Sequence, residues 1–147
     1  METEKVVSML NQARAEELAC IQLYAQNGRH LEEMGNRYLA RLFREQMAEE
    51  VMHARWLAAR VRELGGAPTD QPAAWCRKRG NRRGVARVRR MLQEAVALER
   101  RELVQYEKGI LDCALAGDLT TKTLLEQIVG SEEAHEGLWL GLLSGCD

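Results

Sequence analysis

Apolar side chains recur at three- and four-residue steps along four stretches of this chain, and turn signals separate the stretches. The first runs from about Glu4 to Met34, with Leu10, Ala13 or Arg14, Glu17, Cys20, Ile21 and Tyr24 on one face. That period predicts an α-helix, and Gly35-Asn36 predicts its end. A second helix is expected over 37–64, with Leu39, Leu42, Phe43, Gln46, Glu50, His53, Leu57 and Leu64 inward. Gly65-Gly66, followed by Pro68, is a strong stop. A third is expected over 85–115, facing inward with Val88, Leu92, Ala95, Glu99, Leu103, Tyr106 and Ile110. After Gly117 the fourth helix is expected over 119–143, capped by Asp118 or Thr120, with Leu125, Ile128, Glu132, His135 and Leu142 inward.

Composition agrees with an all-α chain. Ala, Leu, Glu, Arg and Gln are abundant, β-branched runs are absent, and the only prolines are Pro68 and Pro72. Both fall in the one long irregular stretch, roughly 66–84, and a stretch of that length in a compact domain needs a reason. A crossover along the full length of a bundle supplies one. The expected architecture is therefore a four-helix, up-down-down-up bundle with a long crossover between the second and third helices, in a single domain over 1–147. Apolar residues are 46% of the chain but aromatics only 5%, so the core must be built mainly from Leu, Val, Ala and Met.

The inward stripes carry unusual members. Glu17 and Glu50 are 33 residues apart, and Glu50 opens Glu50-Val51-Met52-His53. Glu99 and Glu132 repeat that separation, and Glu132 opens Glu132-Glu133-Ala134-His135. The halfway point of each pair falls just before Gly35 or Gly117, so each hairpin presents its acids level with one another. At 1.5 Å rise per residue they sit roughly 25 Å from the turn, near mid-bundle. Within each Glu-x-x-His the two side chains share a helix face.

Four inward carboxylates would repel one another and cost several kcal/mol each in desolvation, and two divalent cations would balance them. One Glu from each of two helices, with Glu-x-x-His from each of the other two, is the known ligand constellation of dimetal carboxylate bundles, so its meaning here comes from that match. The mixed oxygen and nitrogen donors suit iron or manganese rather than magnesium, calcium or zinc. The candidate metal-ligating and catalytic residues are Glu17, Glu50, His53, Glu99, Glu132 and His135. Tyr24 has two readings, a neighbour that hydrogen-bonds to the site or a core tyrosine. Cys20 and Cys113 read as small core residues.

Other classes recede. The net charge is −1, and no apolar run reaches the length of a membrane span. The four cysteines, Cys20, Cys76, Cys113 and Cys146, are scattered without Cys-x-x-Cys, against a zinc or rubredoxin-type site and against a disulfide scaffold. The start, Met1-Glu2-Thr3-Glu4-Lys5, lacks the pattern of a signal peptide, and a cytoplasmic location is expected.

Several segments resemble the ferritin superfamily, and bacterioferritins above all. They are Ala15-Glu16-Glu17-Leu18-Ala19 with Tyr24, Glu49-Glu50-Val51-Met52-His53-Ala54 continuing through Arg60 to Leu64-Gly65-Gly66-Ala67-Pro68, Ala97-Leu98-Glu99, and Glu132-Glu133-Ala134-His135. The resemblance implies a ferroxidase that oxidises Fe(II) with dioxygen or hydrogen peroxide at a centre of two irons, for iron storage and detoxification. Glu50 and Glu132 would bridge the irons, with Glu17 and His53 terminal on one and Glu99 and His135 on the other. It also implies a homo-oligomer, commonly a cage of 24 subunits. Bacterioferritins hold haem through a Met directly after the second-helix Glu; Val51 stands there, and Met52 points about 100° away, so haem is not expected.

Glu102, three residues after Glu99, matches an additional glutamate ligand of rubrerythrins, and a rubrerythrin-like peroxide reductase is the alternative activity. The preferred reading of Glu102 is nevertheless an exposed member of Glu99-Arg100-Arg101-Glu102. A non-catalytic cage subunit with a structural metal site is the other alternative. Arg77, Lys78, Arg79, Arg82, Arg83, Arg87, Arg89 and Arg90 have no intervening acid. As in DNA-protecting relatives of ferritin, they could contact nucleic acid; the preferred reading is a solvated loop that pairs with acidic surface of a neighbouring subunit.

Overall fold

In the computed structural model, residues 2–75 and 83–146 are described. Four helices account for most of them: α1 (Glu2–Glu33), α2 (Arg37–Glu63), α3 (Val85–Ala116) and α4 (Leu119–Ser144). The boundaries lie within a few residues of the expected ones, and no strand occurs among the described residues.

Two tight turns make two hairpins. Gly35 at φ 79° and Gly117 at φ 76° take the left-handed conformation that closes a helix C-terminus, which side chains resist and glycine adopts freely. The backbone N–H of Asn36 then returns to the Leu31 carbonyl, and that of Asp118 to the Cys113 carbonyl. Each of these two residues caps the next helix. Asn36 accepts from the Leu39 N–H at 3.2 Å, and Asp118 from the Thr121 N–H at 2.9 Å.

At α4 the cap is braced from α2. Arg60 donates to Asp118 at 3.1 Å and to the Thr121 hydroxyl at 2.9 Å, and Thr121 donates to Asp118 at 2.6 Å. Asp118→Ala removes the cap and one of the two carboxylates that hold Arg60, leaving it Glu63. We expect a loss of about 1–2 kcal/mol, read as a fall in Tm of roughly 2–8 °C for a chain of this size. An unchanged melting curve would contradict this assignment.

Two apolar clusters fix helix directions. One gathers Leu23, Tyr24 and Leu31 late in α1, Leu39 and Phe43 early in α2, Met91, Leu92 and Leu98 early in α3, and Trp139 late in α4. The other gathers Val6, Leu10 and Ala13 early in α1, Leu57 and Val61 late in α2, Tyr106 and Cys113 late in α3, and Leu125 and Ile128 early in α4. α1 and α4 therefore run one way, α2 and α3 the other, which is the expected up-down-down-up arrangement. α2 ends at the opposite end of the bundle from the start of α3, so the chain between them must climb the whole length.

That crossover is tied to α1 as it climbs. Asn11 donates to the Ala67 carbonyl and accepts from the Thr69 N–H, and the Ala73 N–H reaches the Ala15 carbonyl. Arg14 donates to the carbonyls of Thr69 at 2.8 Å and Ala54 at 2.6 Å. Of the two candidates for the inward position, Ala13 faces the core and Arg14 serves the crossover. Farther along, Arg101 of α3 bonds Glu16 and stacks over the Trp75 ring at 4.9 Å. Arg77, Lys78, Arg79, Arg82 and Cys76 lie outside the described residues. Of the rest of the basic stretch, Arg89 donates to the Cys146 carbonyl and Arg90 pairs with Glu94 at 3.3 Å.

Candidate metal centre

Between the two apolar clusters each helix turns a polar face inward. Glu17 follows Ala13 by one turn, Glu50 and His53 precede Leu57, Glu99 follows Leu98, and Glu132 and His135 lie between Ile128 and Trp139. All six sequence-derived candidates are buried, the four carboxylates completely. The helical period that buries the leucines brings these residues in as well.

They converge in two overlapping sets. Donor atoms of Glu17, Glu50, His53 and Glu132 lie within 4.8 Å of one another, as do those of Glu50, Glu99, Glu132 and His135. Glu50 and Glu132 belong to both. His53 Nδ1 is 2.7 Å from Glu132 and 3.5 Å from Glu17 and Glu50. His135 Nδ1 is 2.6 Å from Glu50 and 3.4 Å from Glu99. The rings are 6.1 Å apart and nearly parallel. Each imidazole thus aims the same nitrogen into the cluster.

The outward sides of the cluster are held in place. Tyr106 donates to Glu17, and Tyr24 donates to Glu99 at 2.5 Å. Trp139 Nε1–H donates in turn to the Tyr24 hydroxyl at 2.9 Å, inside an aromatic group where the Phe43 and Trp139 rings stack at 4.3 Å. Both readings of Tyr24 hold: it is part of the apolar core, and its hydroxyl hydrogen-bonds to the site at Glu99. Glu49 grips the outer nitrogen of His135, the contact that commonly orients a metal-binding imidazole. Beside it a cleft of about 250 Å³, lined by Glu49, Met52, His53, Trp56, Gln127 and Ser131, reaches the cluster from α2 and α4.

The preferred reading of Glu102 is overturned: the residue is wholly buried. Residues three apart share a helix face, so Glu99 carries Glu102 in with it. Arg100 and Arg101 of the same run point outward, to Glu136 and Glu16. The side chain faces Cys20 and Glu50, with donor atoms of all three within 4.8 Å of one another. Cys20 is fully buried, as a core residue would be, yet it borders the carboxylates. Trp139 and Glu49 carried no signal for a role in the sequence, although Trp139 lies one helical turn beyond His135.

Charge in this layer is poorly satisfied by the protein alone. Both oxygens of Glu50, Glu102 and Glu132 and the Nδ1 atoms of both histidines lack a partner in hydrogen-bond geometry, despite the close approaches. Burial, then repulsion from Glu17, pushes the carboxyls of Glu50, Glu132 and Glu102 well above the ordinary range. Burial opposes charge on His53, but the carboxylates of Glu132 and Glu17 outweigh it and raise its pKa to about 9. His135 is raised in the same sense, by Glu132, Glu50 and Glu99 against burial. Burial also raises Glu17, but bonds to Glu50 and His53 outweigh that and bring it down. Without cations, protons must hold the layer together. Buried acids with open oxygens and two imidazole nitrogens at these separations form a donor set that two cations fit.

The ferritin-like domain family matches residues 7–143, nearly the entire chain. A bacterioferritin of Desulfovibrio desulfuricans is 32% identical over 131 residues, 89% of this chain and 70% of that protein. The chain belongs to the ferritin-like family, with bacterioferritins as its relatives. A bacterioferritin of Rhodobacter capsulatus is also 32% identical, over 89% of this chain and 78% of its own length, and one of Mycobacterium leprae is 29% identical over 88% and 78%. No described helix is long and apolar enough to cross a membrane.

Proposed function

We propose that this chain is a bacterioferritin-like ferroxidase that takes Fe(II) as substrate, oxidises it with dioxygen or hydrogen peroxide, and stores the product. The observation that carries the reading is the pair of four-residue donor sets sharing Glu50 and Glu132. Glu17 and His53 would be terminal on one ion, Glu99 and His135 on the other, and Glu50 and Glu132 would span both. Bound there, each Fe(II) supplies one electron to the oxidant. The protein supplies position and charge. Tyr106 and Tyr24 fix one oxygen of each terminal carboxylate and leave the other free. Both imidazoles give up their Nδ1 protons as the ions arrive, and Glu49 keeps the His135 ring oriented.

Storage needs an assembly, and the outer face of α3 supports one. Val104, Leu111 and Leu115 share one face at seven- and four-residue steps and are 69%, 60% and 81% exposed. Leu119 follows just beyond. Such an apolar stripe fits burial against further copies of the chain. The burial of Glu102 is the observation that favours the second reading, a peroxide reductase that keeps two irons and stores none.

Aerobic addition of excess Fe(II), followed by sizing and iron counting, tests both. Fast oxidation with many irons retained per chain in a large particle is the expected result. A small oligomer that retains only two or three per chain would favour the peroxide reductase. Binding without accelerated oxidation would overturn both and leave a structural site.

A further inference from the structure

Among the described residues, Glu102 is the one buried carboxylate that belongs to neither four-residue metal set. It is completely buried beside Cys20 and Glu50, and neither of its oxygens has a hydrogen-bond partner. Glu17 and Glu99, by contrast, each hold a tyrosine. An ionisable side chain in such a position needs a compensating charge or proton. Its neighbours supply a way to hold a cation. Cys20, one turn beyond Glu17 on α1, places its sulfur within 4.8 Å of donor oxygens of both Glu102 and Glu50, and those oxygens are equally near each other.

We propose that Cys20, Glu102 and Glu50 form a third cation seat adjoining the two-ion site, for a borderline-soft divalent metal such as Fe(II), Co(II) or Zn(II). Size is compatible with the assignment. Metal–sulfur bonds of roughly 2.3 Å and metal–oxygen bonds of roughly 2.0–2.2 Å place three donors around one ion at separations of about 3.4–3.8 Å, so the observed triangle, with edges of at most 4.8 Å, closes on an ion by up to about 1 Å. The donor set supports a soft metal, because magnesium and calcium do not select a thiolate. Charge is compatible with a third ion. Five buried carboxylates and one thiolate balance three dications, whereas with two ions Glu102 and Cys20 keep their protons, which a third dication would displace.

The seat rests on the two-ion reading, since Glu50 is common to both, and the test separates them. Metal-free protein is titrated with Co(II), counting bound ions and following near-ultraviolet absorption from sulfur-to-cobalt charge transfer. The wild type is expected to take three ions per chain, the thiolate band rising with one of them. Cys20→Ser and Cys20→Ala are each expected to take two and lose the band, and Glu102→Gln to lose most of it. Two ions in the wild type with no thiolate band would overturn the third seat and leave the two-ion site standing. A band that survives in both Cys20 variants would place the sulfur elsewhere and overturn it too. No tight Co(II) binding by any of these proteins would remove both readings together.

Discussion

Glu50→Gln is expected to give a protein that melts higher than its parent when both are free of metal, and that has lost fast oxidation of Fe(II). Glu50 belongs to both donor sets, so its loss weakens both ions at once. Even residues that only orient a metal ligand change affinity or activity by about 10–100-fold, so a shared ligand should cost at least about 100-fold in initial rate. Stability moves the other way because Glu50 is fully buried and its oxygens lack hydrogen-bond partners. Burial, then the Glu17 charge, already oppose its ionisation. An amide of the same shape removes that conflict and offers donors to the acids around it. Replacing buried ionic groups by neutral ones of similar volume is often neutral and gains up to about 4 kcal/mol, and His135 keeps Glu99 and Glu132 beside it when Glu50 loses its charge. The calorimetric Tm should rise by several degrees, roughly 2–4 °C per kcal/mol. A lower Tm for the metal-free variant would show instead that the carboxylate stabilises the bundle.

The second large effect is the dependence of metal-free stability on pH. His53 rises from 6.5 unfolded to about 9 folded. It therefore contributes stability in full below pH 6.5, and that contribution is lost as pH rises through about 9. Glu50, Glu102 and Glu132 are raised above 4.5, so they too bind protons more tightly in the folded state and add to the same fall. His53 alone corresponds to about 3 kcal/mol, a drop in Tm of roughly 6–12 °C between pH 6.5 and 9. Dications reverse the trend, because they take the places of the protons. At a thousandfold excess over Kd each ion adds about 4 kcal/mol, so two Zn(II) or Co(II) ions should raise Tm at pH 8 by roughly 15 °C or more. Loading in weakly buffered solution should release at least two protons per chain, one from each imidazole. A metal-free Tm that stays level or rises across that pH range would contradict the proposed protonation of the layer.

The fold was legible because each helix has an uninterrupted period and a glycine stop, and the height of the site because Glu17, Glu50, Glu99 and Glu132 are equidistant from their turns. What stayed hidden was the environment that other helices create. Glu102 sits in a charged run that looks solvated, and its three-residue offset from Glu99, the one signal of burial, did not outweigh that reading. The tyrosine hydroxyls meet acids on helices distant in sequence, Tyr106 with Glu17 and Tyr24 with Glu99. Glu49 is largely exposed and acts only through the far nitrogen of His135. Spacing gives height and rotation about one helix axis; it does not give the side chain opposite.

Each set of donors draws three members from one hairpin and a single acid from the other. Neither hairpin alone contains a full ring of donors for even one ion. On the proposed assignment, tight capture of metal is deferred until the second hairpin has docked on the first, so a half-finished chain leaving the ribosome would hold reactive iron poorly.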